Sequence, residues 1–168
     1  MTEATAVKAR ILWLDADYSS VEKYLIGAIR NRGGHDVRAY SSLDKIPVAI
    51  REQIEEFDLV IVEPLNTMVT KESVAFYEAL RDRFVKLPPL PRSFLLEGLG
   101  TIYALKCLAP SVPLMIYTNI TENTKVGRQA LEELKNTENV TRIIKQPLLY
   151  KELLTEIEKA IGGKTQEK

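Results

Sequence analysis

A chain of 168 residues most simply forms one domain with a sizeable core. Its 23 Lys and Arg offset its 23 Asp and Glu, so it lacks the one-signed field that recruits nucleic acid or an anionic membrane. The single cysteine, Cys107, excludes an intramolecular disulfide and a Cys-based zinc site within a monomer.

Ile11-Leu-Trp-Leu14 is a short apolar run that reads as a buried strand and ends in Asp15-Ala16-Asp17. Ser19 and Glu22 have the spacing of a capping box, which starts a helix. Val21, Leu25, Ala28 and Ile29 give that helix its apolar stripe, and Gly33-Gly34 ends it. Val37 to Tyr40 is a second short strand. Ser41-Ser42 begins a second helix through Val48, Ile50 and Ile54, with Pro47 tolerated near its first turn. Phe57 closes that helix. Leu59 to Val62 follows: four apolar residues, three of them β-branched, suit a strand covered on both faces. That strand ends on one carboxylate, Glu63.

Thr70 has the right place to cap a helix whose apolar face is Phe76, Tyr77, Leu80 and Phe84, and Leu87-Pro-Pro-Leu-Pro91 stops it. A further helical pattern runs from about Leu99 to Leu108. Pro110 and Pro113 frame the turn into a strand, Leu114-Met-Ile-Tyr117, which ends at Thr118 and Asn119. Thr121 or Thr124 caps the next helix, with Val126, Ala130, Leu131 and Leu134 facing inward. Val140 to Ile144 is a fifth strand, and Leu149, Leu153, Leu154, Ile157 and Ile161 mark a final helix.

Strand and helix alternate five times, with one extra helix after the third strand. This predicts an α/β fold: a single doubly wound, five-stranded parallel sheet with right-handed crossovers. Residues 10–162 form the domain, with an insertion at about 65–96 and flexible ends at 1–9 and 163–168. Sites in such folds gather beyond the C-terminal ends of the strands. Those ends carry Asp15, Asp17, Glu63, Thr118, Asn119 and Lys145. No signal-peptide pattern precedes Ile11 and no apolar run reaches bilayer length, so a soluble cytoplasmic protein is expected.

In their order and spacing these fragments resemble the receiver domain of two-component response regulators, from Arg10 to Ile161. Ile11 to Asp17 is similar to the first receiver strand with its terminal acids. Phe57 to Glu63 is similar to the third strand, whose last residue is the phosphoaccepting Asp. Leu114 to Thr118 is similar to the fourth strand with its terminal hydroxyl. Ile143-Ile-Lys-Gln-Pro147 is similar to the fifth strand and its Lys-Pro turn. The resemblance implies a flavodoxin-like strand order, 2-1-3-4-5, and signalling through contact with other proteins. The output face would be the fourth helix, fifth strand and fifth helix of that pattern, here about Lys125 to Lys135 and Leu148 to Ile161. It would serve dimerisation or partner docking, with no nucleic acid and no membrane. The insertion, with Phe76, Tyr77, Leu80 and Phe84, is a second candidate surface.

The departures from that pattern bear on function. Glu63 stands in place of Asp, and Ala16 in place of the second acid. Gln146 rather than Lys precedes Pro147, so Lys145 comes one residue early, and Ile143 replaces an aromatic. Phosphoryl transfer to a carboxylate needs an in-line nucleophile, a divalent cation and donors to the phosphoryl oxygens. Asp15, Asp17 and Glu63 are the candidate magnesium ligands, whereas Ala16 offers no side-chain oxygen. The extra methylene of Glu63 moves its oxygens by roughly an ångström, a displacement that can cost about a hundredfold in rate. A phosphorylation-independent, non-enzymatic domain without a cofactor is therefore expected, with Glu63, Thr118 and Lys145 as a vestigial site. Glu63 either makes a plain ion pair with Lys145 or reaches both Thr118 and Lys145 as a stand-in for a phosphorylated Asp. Two other readings stay open: an active magnesium-dependent phosphoacceptor, and a small-molecule-binding domain whose cavity lies beside Glu63 under the insertion.

The remaining features need less. Cys107 reads as an apolar filler, Trp13 as core, His35 as a surface residue, and Pro88, Pro89 and Pro91 as a rigid link. Asp15-Ala16-Asp17 lacks the glycines of a phosphate-binding loop, which disfavours a nucleotide or flavin site.

Overall fold

Five short apolar runs pair side by side, all parallel, in the order β2-β1-β3-β4-β5. The structure, a computed structural model, describes residues 8–64, 71–84, 86–89, 94–137, 140–145 and 149–162, with the backbone alone for residues 21–23, 94–98, 142, 144 and 145. The strands are β1 (Arg10–Leu14), β2 (Asp36–Tyr40), β3 (Leu59–Val62), β4 (Leu114–Thr118) and β5 (Val140–Lys145). The helices are α1 (Tyr18–Val21), α2 (Gly27–Gly33), α3 (Val48–Arg51), α4 (Lys71–Arg83), α5 (Phe94–Leu108), α6 (Lys125–Lys135) and α7 (Tyr150–Gly162). The sheet and its order are those expected, and the helix inserted after β3 is α4. Of the expected flexible ends, residues 1–7 and 163–168 lie outside the described residues, as do Thr70, Leu90, Pro91 and Gln146 to Leu148. Lys8 and Ala9 are held at the sheet edge: the Lys8 N–H donates to Gly34 O at 3.0 Å, and Ala9 O accepts from the Asp36 N–H at 2.9 Å.

Alternation along each strand divides the core in two. Leu12, Leu14, Val60, Val62, Leu114 and Ile116 face one side, with Tyr77, Leu80, Ile102, Leu105, Leu131 and Leu134 from α4, α5 and α6. Ile11, Trp13, Leu59, Ile61, Met115 and Tyr117 face the other, with Ile29 from α2 and Leu153 and Ile157 from α7. β3 is covered on both faces, which is why its four residues are all apolar. Full burial of each such side chain contributes about 1.5–3 kcal/mol.

Four local expectations are corrected. The first helix begins at Tyr18, so Ser19 lies inside it and is not its cap. The Ser20 N–H instead donates to Asp17 O at 3.0 Å. A π-helical turn over Glu22–Ile26 then joins α1 to α2. Ile29 of the expected stripe is buried, together with Ile26, while Leu25 and Ala28 are half-buried.

The second helix is broken into a 3₁₀ turn (Leu43–Lys45), the single turn α3 and another 3₁₀ turn (Ile54–Glu56). Pro47 stands just before α3 and brings no N–H. The broken path buries Leu43, Ile46 and Ile54 and leaves Val48 59% exposed. Leu149, assigned to the final apolar stripe, precedes α7 and is 73% exposed.

His35 is buried rather than on the surface. Gly33 makes room for it: a Cβ there would lie 2.8 Å from His35 Cδ2 and from Leu154 Cδ1. Burial lowers the imidazole pKa below its ordinary value, and Lys8 adds to the effect. Trp13 is core, as expected, with its ring edge-on to Tyr117 at 5.8 Å.

Candidate functional site at the strand ends

β1, β3 and β4 are adjacent and in register, with Leu14 beside Val62 and Val62 beside Ile116. The residues that follow, Asp15 and Glu63, therefore emerge together next to Thr118 at the end of β4. All three are 0% exposed. The backbone fixes them there: the Asp15 N–H donates to Tyr40 O at 3.0 Å and the Glu63 N–H to Leu14 O at 2.9 Å.

The Thr118 hydroxyl donates to Glu63 Oε1 at 2.8 Å. It also accepts the Ile120 N–H at 3.2 Å. A hydroxyl has one hydrogen to give. With a lone pair held by Ile120, that hydrogen is directed at the carboxylate. Burial removes the water that would compete for this hydrogen bond. The expected contact of Glu63 with Thr118 is therefore present.

The other candidates fall differently. Asp15 Oδ1 accepts the Asp17 N–H at 2.9 Å, which shapes the turn into α1. Asp17 is exposed, and its carboxylate accepts from the Ser20 hydroxyl at 2.8 Å. It faces the first helical turn. Lys145 ends β5, its backbone in register with Thr118. Its side chain, and so the expected Glu63–Lys145 ion pair, lies outside the described atoms.

Magnesium asks for near-octahedral oxygen ligands, usually with one or two carboxylates. Among the described residues no group of three or more His, Cys, Asp and Glu side chains is placed to hold a metal ion. Ala16 brings no side-chain oxygen, Asp17 is turned toward Ser20, and one Glu63 oxygen is taken by Thr118. Asp15 and Glu63 are the two buried carboxylates that remain at this end of the sheet.

A second feature escaped the sequence. A cavity of about 690 Å³ opens between the end of α4 and α5, lined by Phe84, Leu87, Tyr103 and Cys107 among others. It belongs to the insertion side, but Glu63 is not among its lining residues, so it is not the cavity beside Glu63 that the sequence allowed for. Nothing in the local sequence brings residues 83–88 against residues 103–107; the packing of α4 on α5 does.

The strand order, the inserted helix and the polar strand ends define a doubly wound α/β domain of the flavodoxin-like type. Its fold is that of response regulator receiver domains. No family model matches the sequence, and no curated protein matches it significantly. Solved structures do. A response regulator receiver domain protein from Clostridium thermocellum superposes with a TM-score of 0.58 at 18% identity, covering 94% of this chain and 97% of that one. The signal receiver domain assigned to a Luxo repressor protein of Vibrio parahaemolyticus gives 0.51 at 12% identity, covering 96% and 95%. NtrX from Brucella abortus gives 0.54 at 14% identity, where 94% of this chain covers 27% of that one. Among the described residues no helix is long and apolar enough to cross a membrane.

Proposed function

We propose that this chain is a receiver-like signalling domain whose state is set by a fixed internal carboxylate rather than by phosphorylation, and which acts by contact with another protein. One observation carries the reading. The Thr118 hydroxyl is held by Glu63, 2.8 Å away, with both side chains fully buried. In the receiver pattern the third strand ends on the phosphoacceptor and the fourth on a hydroxyl. Here a carboxylate one methylene longer occupies the first position and engages the second with no added group. With Ala16 contributing no ligand, magnesium-assisted transfer has lost a necessary part. The domain is then neither an enzyme nor a cofactor carrier. Its partner surface is the α6–β5–α7 face, where a second copy of the chain or another protein would dock.

The test is incubation with acetyl phosphate and magnesium followed by intact mass measurement. The expected result is the unmodified mass. A stoichiometric phosphoryl adduct would overturn the reading in favour of an active phosphoacceptor.

A further inference from the structure

The cavity between α4 and α5 has walls of one character and a rim of another. Phe84, Leu87, Tyr103 and Cys107 line it with apolar surface. Arg83, Lys86 and Lys106 also line it, and among the described residues no Asp or Glu does. Its volume, about 690 Å³, lies in the range that encloses one small organic molecule.

Two hydrogen bonds hold the walls. The Tyr77 hydroxyl donates to Pro88 O at 2.8 Å and ties the segment after α4 back onto that helix. The Tyr103 hydroxyl donates to Glu133 Oε1 at 3.0 Å, so its hydrogen is directed at α6 and its ring is left as wall. The Arg83 guanidinium lies 5.3 Å from the Phe84 ring centroid, at the border of wall and rim. Cations beside a low-dielectric apolar wall concentrate anions, and arginine can grip a carboxylate, sulfonate or phosphate with paired N–H groups.

The geometry points to a binding site here for a small organic anion: an apolar, flat body against Phe84, Leu87 and Tyr103, and its charged group at Arg83 and Lys86. A neutral ligand would gain nothing from the charges of Arg83 and Lys86. A cavity of this size also suits one compact molecule better than an extended peptide. The site is separate from Glu63 and Thr118, so it gives the domain an input that does not need the strand-end carboxylate.

The experiment uses 8-anilinonaphthalene-1-sulfonate as the probe, with the uncharged 1-anilinonaphthalene as its comparison. Fluorescence titration of the full chain should show saturable binding of one sulfonate per chain. Arg83 and Lys86 are exposed, so the double variant Arg83→Glu/Lys86→Glu should keep its fold, checked by unchanged emission from Trp13. It should bind the sulfonate at least about tenfold more weakly, because like charges now meet at the rim, and bind the uncharged compound as before. Cys107, the chain's one thiol, gives an independent readout: the bound sulfonate should slow its alkylation by iodoacetamide. Equal sulfonate affinity in the double variant, or an alkylation rate that the sulfonate does not change, would overturn the assignment. So would a dimer that the sulfonate dissociates and the double variant cannot form, since the cavity would then belong to a second copy.

Discussion

The Thr118 hydroxyl donates its hydrogen to Glu63 Oε1 across 2.8 Å, from a fully buried position on β4 to a fully buried position at the end of β3. The same oxygen accepts the Ile120 N–H. Replacing threonine by valine keeps the shape and removes both interactions at once. Deleting one partner of a buried hydrogen bond costs the desolvation of the groups left behind, and more so where an acceptor is ionised. Thr118→Val is expected to cost about 2–3 kcal/mol. Thr118→Ser, which keeps the hydroxyl, should cost clearly less. Urea unfolding followed by the emission of Trp13, the chain's one tryptophan and fully buried, measures both. If the contact is as drawn, Thr118→Val and Glu63→Gln together should cost less than the sum of the two alone.

The same pair bears on the proposed independence from phosphorylation. Ala16→Asp with Glu63→Asp restores the missing acid and withdraws the strand-end carboxylate from Thr118 by one methylene. The expected outcome is magnesium binding, seen by titration calorimetry, and a single phosphoryl adduct from acetyl phosphate, seen by intact mass. Ala16→Asp alone should do far less, since a carboxylate about an ångström out of place can lose two orders of magnitude in rate. If the double variant binds magnesium yet takes no phosphoryl group, access past the inserted segment is the obstacle.

A third expectation concerns the turn that follows Thr118. Thr124 caps α6: its Oγ1 accepts the Gly127 N–H at 3.0 Å. Gly127 itself is pressed against the preceding turn, so that a Cβ there would collide with the carbonyl oxygen of Thr121. Thr124→Ala should cost about 1 kcal/mol, the usual loss of a cap. Gly127→Ala should cost about 1–3 kcal/mol by overpacking, although alanine is the better helix former. The reversal of propensity is what identifies the contact, and thermal unfolding of the two variants distinguishes it from a simple capping loss.

The strands were legible because a strand buried on both faces needs an apolar run whatever its neighbours are; Leu59 to Val62 could hardly serve otherwise. Glu63 and Thr118 were legible for a related reason: a parallel sheet puts the residues just past paired strand ends side by side. What local pattern cannot carry is the path of the chain between such runs. On the first helical segment the fully buried pair is Ile26 and Ile29, where the expected stripe had Leu25 and Ala28 beside Ile29, and a π-helical turn at Glu22–Ile26 leads into it. Pro47 divided a helix into short turns and put Val48 in water. The cavity between α4 and α5 arises from contact between segments some twenty residues apart in sequence, so no window of the sequence contains it.

His35 is where tertiary packing most changed the meaning of a residue, and it supplies a pH dependence with a definite sign. It is the chain's one histidine, buried against Gly33 and Leu154. Burial disfavours its charged form, and Lys8 acts in the same direction. Glu158 and Asp58 act in the opposite direction and do not prevail. Its folded pKa is therefore below the ordinary 6.5. Well above 6.5 the imidazole is neutral in both states and contributes no pH dependence. As pH falls below 6.5 the unfolded chain takes up the proton first, so stability declines until the folded pKa is passed. His35→Gln should flatten this part of the curve, leaving the slope due to carboxylates, which lies lower. Urea unfolding of both proteins between about pH 7 and pH 5 gives the difference, and the titration of the single imidazole by NMR gives the folded pKa directly. The difference curve is expected to rise with pH across that interval. A flat difference, or an imidazole that titrates at or above 6.5, would mean that the side chain is hydrated in solution and not packed behind Gly33.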